Sequence, residues 1–517
     1  MSRPQFYANT LEPVDITPEK LQKTLEDLLV AVRRGVDVIQ KESPPSEDWG
    51  SSGLYTGPAG IALAFLRLDR QRASLGVQDE SPTDFCGIAQ ERIPSQGPKV
   101  KLQPGRLSPV GSSSPLTAVV MRILTAGSYG HKVNVDDVEL LQDAVNVALQ
   151  NGPIVPHGGR MMGGDEVLFG RAGLLWAILN IREHDFDGQK TAYLQPVFDA
   201  VPSLIDAIVD AGRQGRKEHI EKHGSEGALP LMWTWMEGHY GLGLVHGLTG
   251  ILAVLLACRA SELNDGISRD YLSWLAGTVT GVCELCIANG GHLPTAIPSR
   301  HSSSHRPSHF VQICHGAPGV LLLMACARRN TYLVSNFWEP TWDEAIRLAS
   351  ERTWEEGLLS KGGGICHGIA GNAWPWLLLH DSFEYDIDTM HIAKRNYVDR
   401  TRMTDNKSTE HELTGDYFLS RALAFLLHSR ETPPYDMSSD IYRLPDHPFS
   451  LTEGLAGTVC AWADACVAIQ ARLRKIEMTA QGPCSEVDLK RDSVFQGLES
   501  RQLGFPTLAY HRPTGLI

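Results

Sequence analysis

One hydrophobic pattern recurs along the chain: two glycines three residues apart, followed at once by an apolar run. It reads YTGPAGIALAFL at Gly57, LFGRAGLLWAIL at Gly170, VHGLTGILAVLL at Gly247, CHGAPGVLLLMA at Gly316, CHGIAGNAWPWL at Gly368 and EGLAGTVCAWAD at Gly454. A degenerate copy, PVGSSSPLTAVVMRIL at Gly111, keeps the first glycine and loses the second. After each glycine pair the apolar residues recur with helical spacing and leave almost no polar face, so these helices must be buried. The stretches between them, such as PEKLQKTLEDLLVAVRRGVDVI, are amphipathic. From 52 residues (Gly316 to Gly368) to 86 (Gly368 to Gly454) separate neighbouring copies, room for two helices and their loops. The pattern predicts an all-α fold, an α/α toroid of seven helical-hairpin repeats: an inner ring of apolar helices inside an outer ring of amphipathic ones.

A closed repeat absorbs the whole length, residues 1–517, as one domain. Two segments break the rhythm. Residues 69–105, rich in Ser, Pro, Gln and charge, read as a surface insertion, and the stretch after 475 reads as an irregular tail. SRHSSSHRPSH, Ser299 to His309, holds three histidines, but its Ser and Pro content favours a loop over the ring mouth.

Charge narrows the function classes. The formal net charge of −13, without a basic stripe, repels phosphate backbones and argues against nucleic acid as the main partner. The start, MSRPQFYANTLEPVDITPEK, lacks an apolar leader core, and no eighteen uncharged apolar residues run together, so a cytoplasmic protein without a transmembrane segment is expected. In a reducing compartment its ten cysteines are thiols or metal ligands.

Two of those thiols stand out, because the phrase Cys-His-Gly-x-x-Gly occurs twice, at Cys314 and at Cys366. Singly, a buried cysteine is a small hydrophobe and a histidine beside it fills a turn. Duplicated at the same point of a closed ring, they offer two thiolates and an imidazole, a donor set for catalytic zinc with an open fourth position. Spacing leaves His315 and His367 as alternative third ligands. Cys283 and Cys286 form a C-x-x-C pair without a partner pair, and core thiols explain them better. His246 stands just before its repeat glycine, as His315 and His367 do, where an imidazole could exchange a proton at the centre. Glu166 lies four residues before Gly170.

In order, RPQFYAN, YTGPAGIA, DEVLFGRAG, VHGLTGIL, CHGAPGV, KGGGICHGIAGNAW and RLPDHPFSLTEGLAG resemble the LanC-like family, the eukaryotic relatives of bacterial lanthionine cyclases, over essentially the whole chain. The resemblance implies an α/α toroid with a central Zn2+ held by Cys314, Cys366 and His367, and with His246 as the catalytic histidine. Where bacterial cyclases carry an aspartate this chain has Glu166, as the eukaryotic branch does. The resemblance further implies glutathione as a partner, added to the dehydroalanine or dehydrobutyrine that proteins retain after phosphoserine or phosphothreonine loses phosphate. It places Arg3, Lys361 and Arg443 at the glutathione and phosphate site. Zinc would remove the proton of a thiol whose ordinary pKa is about 8.5. Two other readings share the toroid and its zinc: a glutathione-binding adaptor or receptor without turnover, and another zinc-thiolate α/α enzyme of prenyltransferase type, whose zinc set usually includes an aspartate.

Overall fold

The computed structural model describes residues 3–46, 52–76, 83–94, 100–128, 133–184, 189–236, 238–298, 310–402, 413–438 and 440–508. Six of the turn glycines, Gly57, Gly170, Gly247, Gly316, Gly368 and Gly454, are the N-cap residues of helices Pro58–Gln71, Arg171–Glu183, Leu248–Leu256, Ala317–Arg329, Ile369–Tyr385 and Leu455–Gln481. The degenerate copy leads into Leu116–Ser128. Each of these helices packs on the next in sequence and the last packs on the first, so among the described residues seven inner helices close a ring.

The glycine spacing has a physical cause. None of the six caps supplies a side-chain acceptor, so the free N–H groups of the first turn need another partner. They find it in the preceding loop: Ile369, Ala370 and Gly371 donate to the carbonyls of Gly362, Gly363 and Gly364 at 2.9, 3.2 and 3.3 Å. A loop folded this tightly under its helix puts the carbonyl six residues upstream where a Cβ on the second glycine would stand. The clearance is 2.1 Å at Gly60, 2.1 Å at Gly173, 1.8 Å at Gly250, 1.9 Å at Gly371 and 1.9 Å at Gly457. Only glycine fits there.

The same loops bond to one another around the axis. Tyr55 N–H donates to Val110 at 2.9 Å, Thr452 to Tyr55 at 3.2 Å, Cys366 to Thr452 at 2.7 Å, Cys314 to Cys366 at 3.2 Å and Leu244 to Cys314 at 3.1 Å. This backbone belt fixes Cys314 beside Cys366.

Outside the ring, Pro18–Glu42 covers Leu455–Gln481, Val135–Gln150 covers Leu116–Ser128, and Val201–His223 covers Arg171–Glu183. Tyr271–Ala288 and Pro340–Glu356 both cover Ala317–Arg329, and Gly415–His428 covers Ile369–Tyr385. Two outer stretches, Ala192–His223 and Tyr271–Ala288, are apolar and long enough on average to cross a membrane, a property the run-based sequence reading did not register. Each lies in the outer ring with one face on the core, through Leu204, Ile205, Ile208 and Val209 in the first and Leu272, Leu275, Val279 and Val282 in the second.

Small strands decorate the loop end of the ring. Strands β2 (Ile154–His157), β3 (Arg160–Gly163), β4 (Thr234–Met236), β5 (His239–Gly241) and β6 (Ala296–Ile297) form one antiparallel sheet in that order. Strand β3 runs into the Gly170 loop and β5 into the Gly247 loop. Strand β1 (Phe6–Tyr7) pairs with β7 (Leu358–Leu359), which leads into the Gly368 loop.

Two segments differ from the sequence reading. Within 69–105, Asp69–Gln71 completes the first inner helix, and Phe85–Gln90 is a short helix packed on it with Phe85, Cys86 and Ala89 buried, a stub of the second outer position. After 475 the last inner helix continues to Gln481, helices Glu486–Arg491 and Ser493–Glu499 follow, and residues 502–508 are buried. Apolar positions were too sparse there to show a helical period. The histidine tract 299–309 lies outside the described residues.

Candidate active site

Side chains immediately before the turn glycines converge at the loop end of the ring. The sulfurs of Cys314 and Cys366 and a ring nitrogen of His367 lie within 4.8 Å of one another, with both cysteines buried. His315 turns instead toward His246, ring centroids 6.1 Å apart, and Trp235, 6.0 Å away. Burial first, then the fields of His246, His367 and Lys361, push the His315 imidazole down to about 4, so it is neutral near pH 7.

The donor set fits a divalent cation. Without one, the hydrogen bond with Cys314, burial and the Cys314 charge push the Cys366 thiol well above its usual range, against a smaller pull from His367. Two buried thiolates side by side repel, whereas an ion of charge +2 takes both. Two further residues already address the sulfurs: the Tyr55 hydroxyl bonds Cys366 Sγ, and Gln312 Nε2 donates to Cys314 Sγ at 3.2 Å. Burial, then the charges of Cys366 and Cys314, keep the Tyr55 phenol well above 10.0, so it remains a donor. Such outer-shell donors hold and tune ligands.

Opposite stands a dyad. His246 Nδ1 bonds Glu166 Oε2, and Glu166 is 3% exposed with its Oε1 unpaired among the described residues. Burial pulls the His246 imidazole down, but the charge and hydrogen bond of Glu166 outweigh it, and the net shift is upward from 6.5. With Nδ1 held, Nε2 is the nitrogen left for proton transfer. Aromatic rings fix the imidazole plane: Trp235 lies 5.5 Å away at 21°, and Phe169 lies 6.4 Å away at 29°.

The three basic residues, Arg3, Lys361 and Arg443, are exposed. Lys361 is exposed and acts on His315 through its charge. Arg443 is ion-paired with Asp446, and its N–H donates to Ser360 at 2.9 Å. Arg3 Nη2 donates to the Asp440 carbonyl at 2.6 Å, while Ser360 Oγ donates to the Pro4 carbonyl at 2.6 Å. The three therefore sit on adjoining segments, drawn together by backbone bonds. Cys283, by contrast, is buried with its sulfur on Met324 at 3.5 Å, far from any such donor set, and Cys286 is a buried thiol pushed up to about 12 by burial.

Sequence reasoning missed Tyr55, Phe169, Gln312 and Trp235. The first two carry a signal, for Tyr55 stands two residues before its glycine, as Cys314 and Cys366 do, and Phe169 stands one before, as His246 does. Gln312 and Trp235 lie outside the repeated phrase.

Residues 48–478 match the family model of the lanthionine synthetase C-like protein. The chain is 28% identical over 347 residues to the glutathione S-transferase LANCL1 of Danio rerio, covering 67% of each protein. It is 27% identical over 313 residues to the LanC-like protein GCL1 of Arabidopsis thaliana, covering 60% of this chain and 57% of that one. Nisin cyclase aligns in structure with a TM-score of 0.39 and 17% identity, over 80% of this chain and 100% of that one. With the family match spanning most of its length, this chain belongs to the lanthionine synthetase C-like family.

Proposed function

We propose that the protein is a zinc-dependent, thioether-forming transferase that adds glutathione to dehydroalanine or dehydrobutyrine residues in proteins. The observation that carries this reading is the convergence of two thiols and an imidazole within 4.8 Å, with a half-buried His246 bonded to the buried Glu166 on the same loop register. Its relative in Danio rerio bears the name glutathione S-transferase.

Cys314, Cys366 and His367 would hold the ion, and a zinc ion there supplies an incoming thiol in its deprotonated form. The remaining work falls to the chain. The thiolate electron pair forms a C–S bond at the β-carbon of the dehydro residue, and the alkene pair moves onto the α-carbon and its carbonyl. His246 Nε2 then delivers the proton to the α-carbon, which completes the thioether. Glu166 holds Nδ1 and favours the protonated imidazole from which that transfer starts. Arg3, Lys361 and Arg443 meet the carboxylates of glutathione or a substrate phosphate.

The test combines metal analysis of the purified protein with mass spectrometry of a dehydroalanine peptide incubated with glutathione. About one zinc per chain and a peptide gaining one glutathione support the proposal. Zinc and glutathione binding without product would leave a binding protein and overturn the transferase reading.

A further inference from the structure

Residues 502–508 lie inside the ring. They climb its axis from the C-terminal ends of the inner helices toward the metal-bearing loops. At the far end, Gln71 Nε2 donates to the Arg501 carbonyl at 3.0 Å, and Arg501 Nη1 donates to Ser74 Oγ at 3.0 Å. Midway, Leu503 and Gly504 N–H donate to the Asp464 carboxylate at 3.4 and 3.1 Å, and Arg67 Nη2 donates to the Gly504 carbonyl. Phe505 then packs on Trp374, ring centroids 5.3 Å apart. Phe505, Thr507 and Leu508 finally face Tyr55, Leu168, Val245 and Cys366 across an apolar cavity of about 20 Å³. That volume holds about one water molecule.

The anchor of this segment explains an otherwise costly choice. Asp464 and Arg67 are both fully buried and 3.9 Å apart, and a buried charge pair is stabilising only when its remaining lone pairs and protons are satisfied. Trp374 Nε1, at 2.9 Å, and Gln71 supply two donors to Asp464 from the ring. The segment supplies two more donors and the acceptor for Arg67.

We infer that Gln502–Leu508 is the rear wall of the reaction chamber: a stopper, built from the chain itself, that closes the ring axis behind Cys366 and Tyr55. Among the described residues, solutes then reach the metal-ligand sulfurs only through the mouth, past His246. The inference concerns access to the sulfurs and stands whether or not glutathione is the thiol.

Its test is therefore independent of turnover. Metal-stripped protein is alkylated with a bulky maleimide, and mass spectrometry follows modification of Cys314, Cys366 and the partly exposed Cys484. A chain ending at Arg501, and Phe505→Ala in the full chain, should each speed alkylation of Cys366 by at least about tenfold and leave Cys484 unchanged, as expected for local opening. An unchanged Cys366 rate in a variant that still melts cooperatively overturns the inference. So does an equal acceleration at the core thiols Cys460 and Cys466, which would mark general loosening. Should the shortened chain not fold, Asp464→Asn loosens the anchor at nearly constant shape and decides the matter by the same rates.

Discussion

Changing Tyr55 to Phe removes a single oxygen, the one that bonds Cys366 Sγ, and keeps the ring that fills the loop. The backbone of Cys366 stays anchored to Thr452 at 2.7 Å, so the sulfur is not displaced by the change. A hydrogen bond to a charged acceptor contributes about 1.5–3 kcal/mol, whereas one to a neutral partner contributes about 0.5–1.5 kcal/mol. Cys366 is charged only when it ligates a metal, so the hydroxyl stabilises the metal-bound form more than the metal-free one. Loss of an outer-shell partner typically weakens metal binding by about 10–100-fold, or about 1.4–2.7 kcal/mol, and the difference between the two bonds, about 1–1.5 kcal/mol, meets the lower end of that range. Competition against a chromophoric chelator should thus show zinc bound about 10–100-fold more weakly by Tyr55→Phe, with the melting of metal-free protein little altered. Affinity within about twofold of the parent would refute the outer-shell role of Tyr55.

Cys314→Ala, Cys366→Ala and His367→Ala should each lower zinc content, measured by plasma emission, while Cys283→Ala leaves it in place; full occupancy in Cys366→Ala would remove that ligand. His246→Ala should keep zinc and slow thioether formation by about 10²–10⁴-fold. Because Glu166 raises His246 above 6.5, the stability gained from their bond is fully present below 6.5 and fades as pH rises through the raised value. Glu166→Gln should therefore shift the alkaline limb of the pH–rate profile to lower pH, and an unmoved limb would separate the dyad from the chemistry. Gly250→Ala, whose Cβ would stand 1.8 Å from the Leu244 carbonyl, should destabilise the fold by roughly 3 kcal/mol or more in denaturant titration. Arg3→Ala should weaken glutathione or phosphopeptide binding in calorimetry with zinc content unchanged.

The ring was legible because its cause is local. A glycine three residues into a helix, forced by a carbonyl at about 2 Å, leaves the same mark at five of the seven repeats, and the apolar run behind it marks burial. The cysteines and histidines were legible for the same reason, since they ride on that mark. Tyr55 was not, because a lone tyrosine says nothing until the belt is seen to carry it to Cys366 from 311 residues away. Gln312 and Trp235 depend on loop and hairpin geometry without a periodic signature. The buried stretch 502–508 read as tail because its path is set by Asp464 and Arg67, two charges that no hydropathy pattern places in a core.

A hydrogen-bonded belt that joins the first repeat to the last also sets a timetable for biosynthesis. Thr452 and Tyr55 are 397 residues apart in the chain, so at roughly 5–20 residues per second the ribosome needs about 20–80 s to supply the partner that Tyr55 awaits. Throughout that interval the first inner helix lacks its neighbour Leu455–Gln481, and its apolar side is open to chaperones or to misassociation. Cys314, Cys366 and His367 emerge before Thr452 does, so the thiols that can capture a metal exist on the nascent chain before the seam closes over them. Ring closure then brings Tyr55 onto Cys366 and creates the axial channel into which residues 502–508, synthesised later still, can enter. A chain halted before the last repeat would thus carry metal-binding thiols on an open arc with neither Tyr55 contact nor rear wall, a species whose sulfurs face the solvent from both sides.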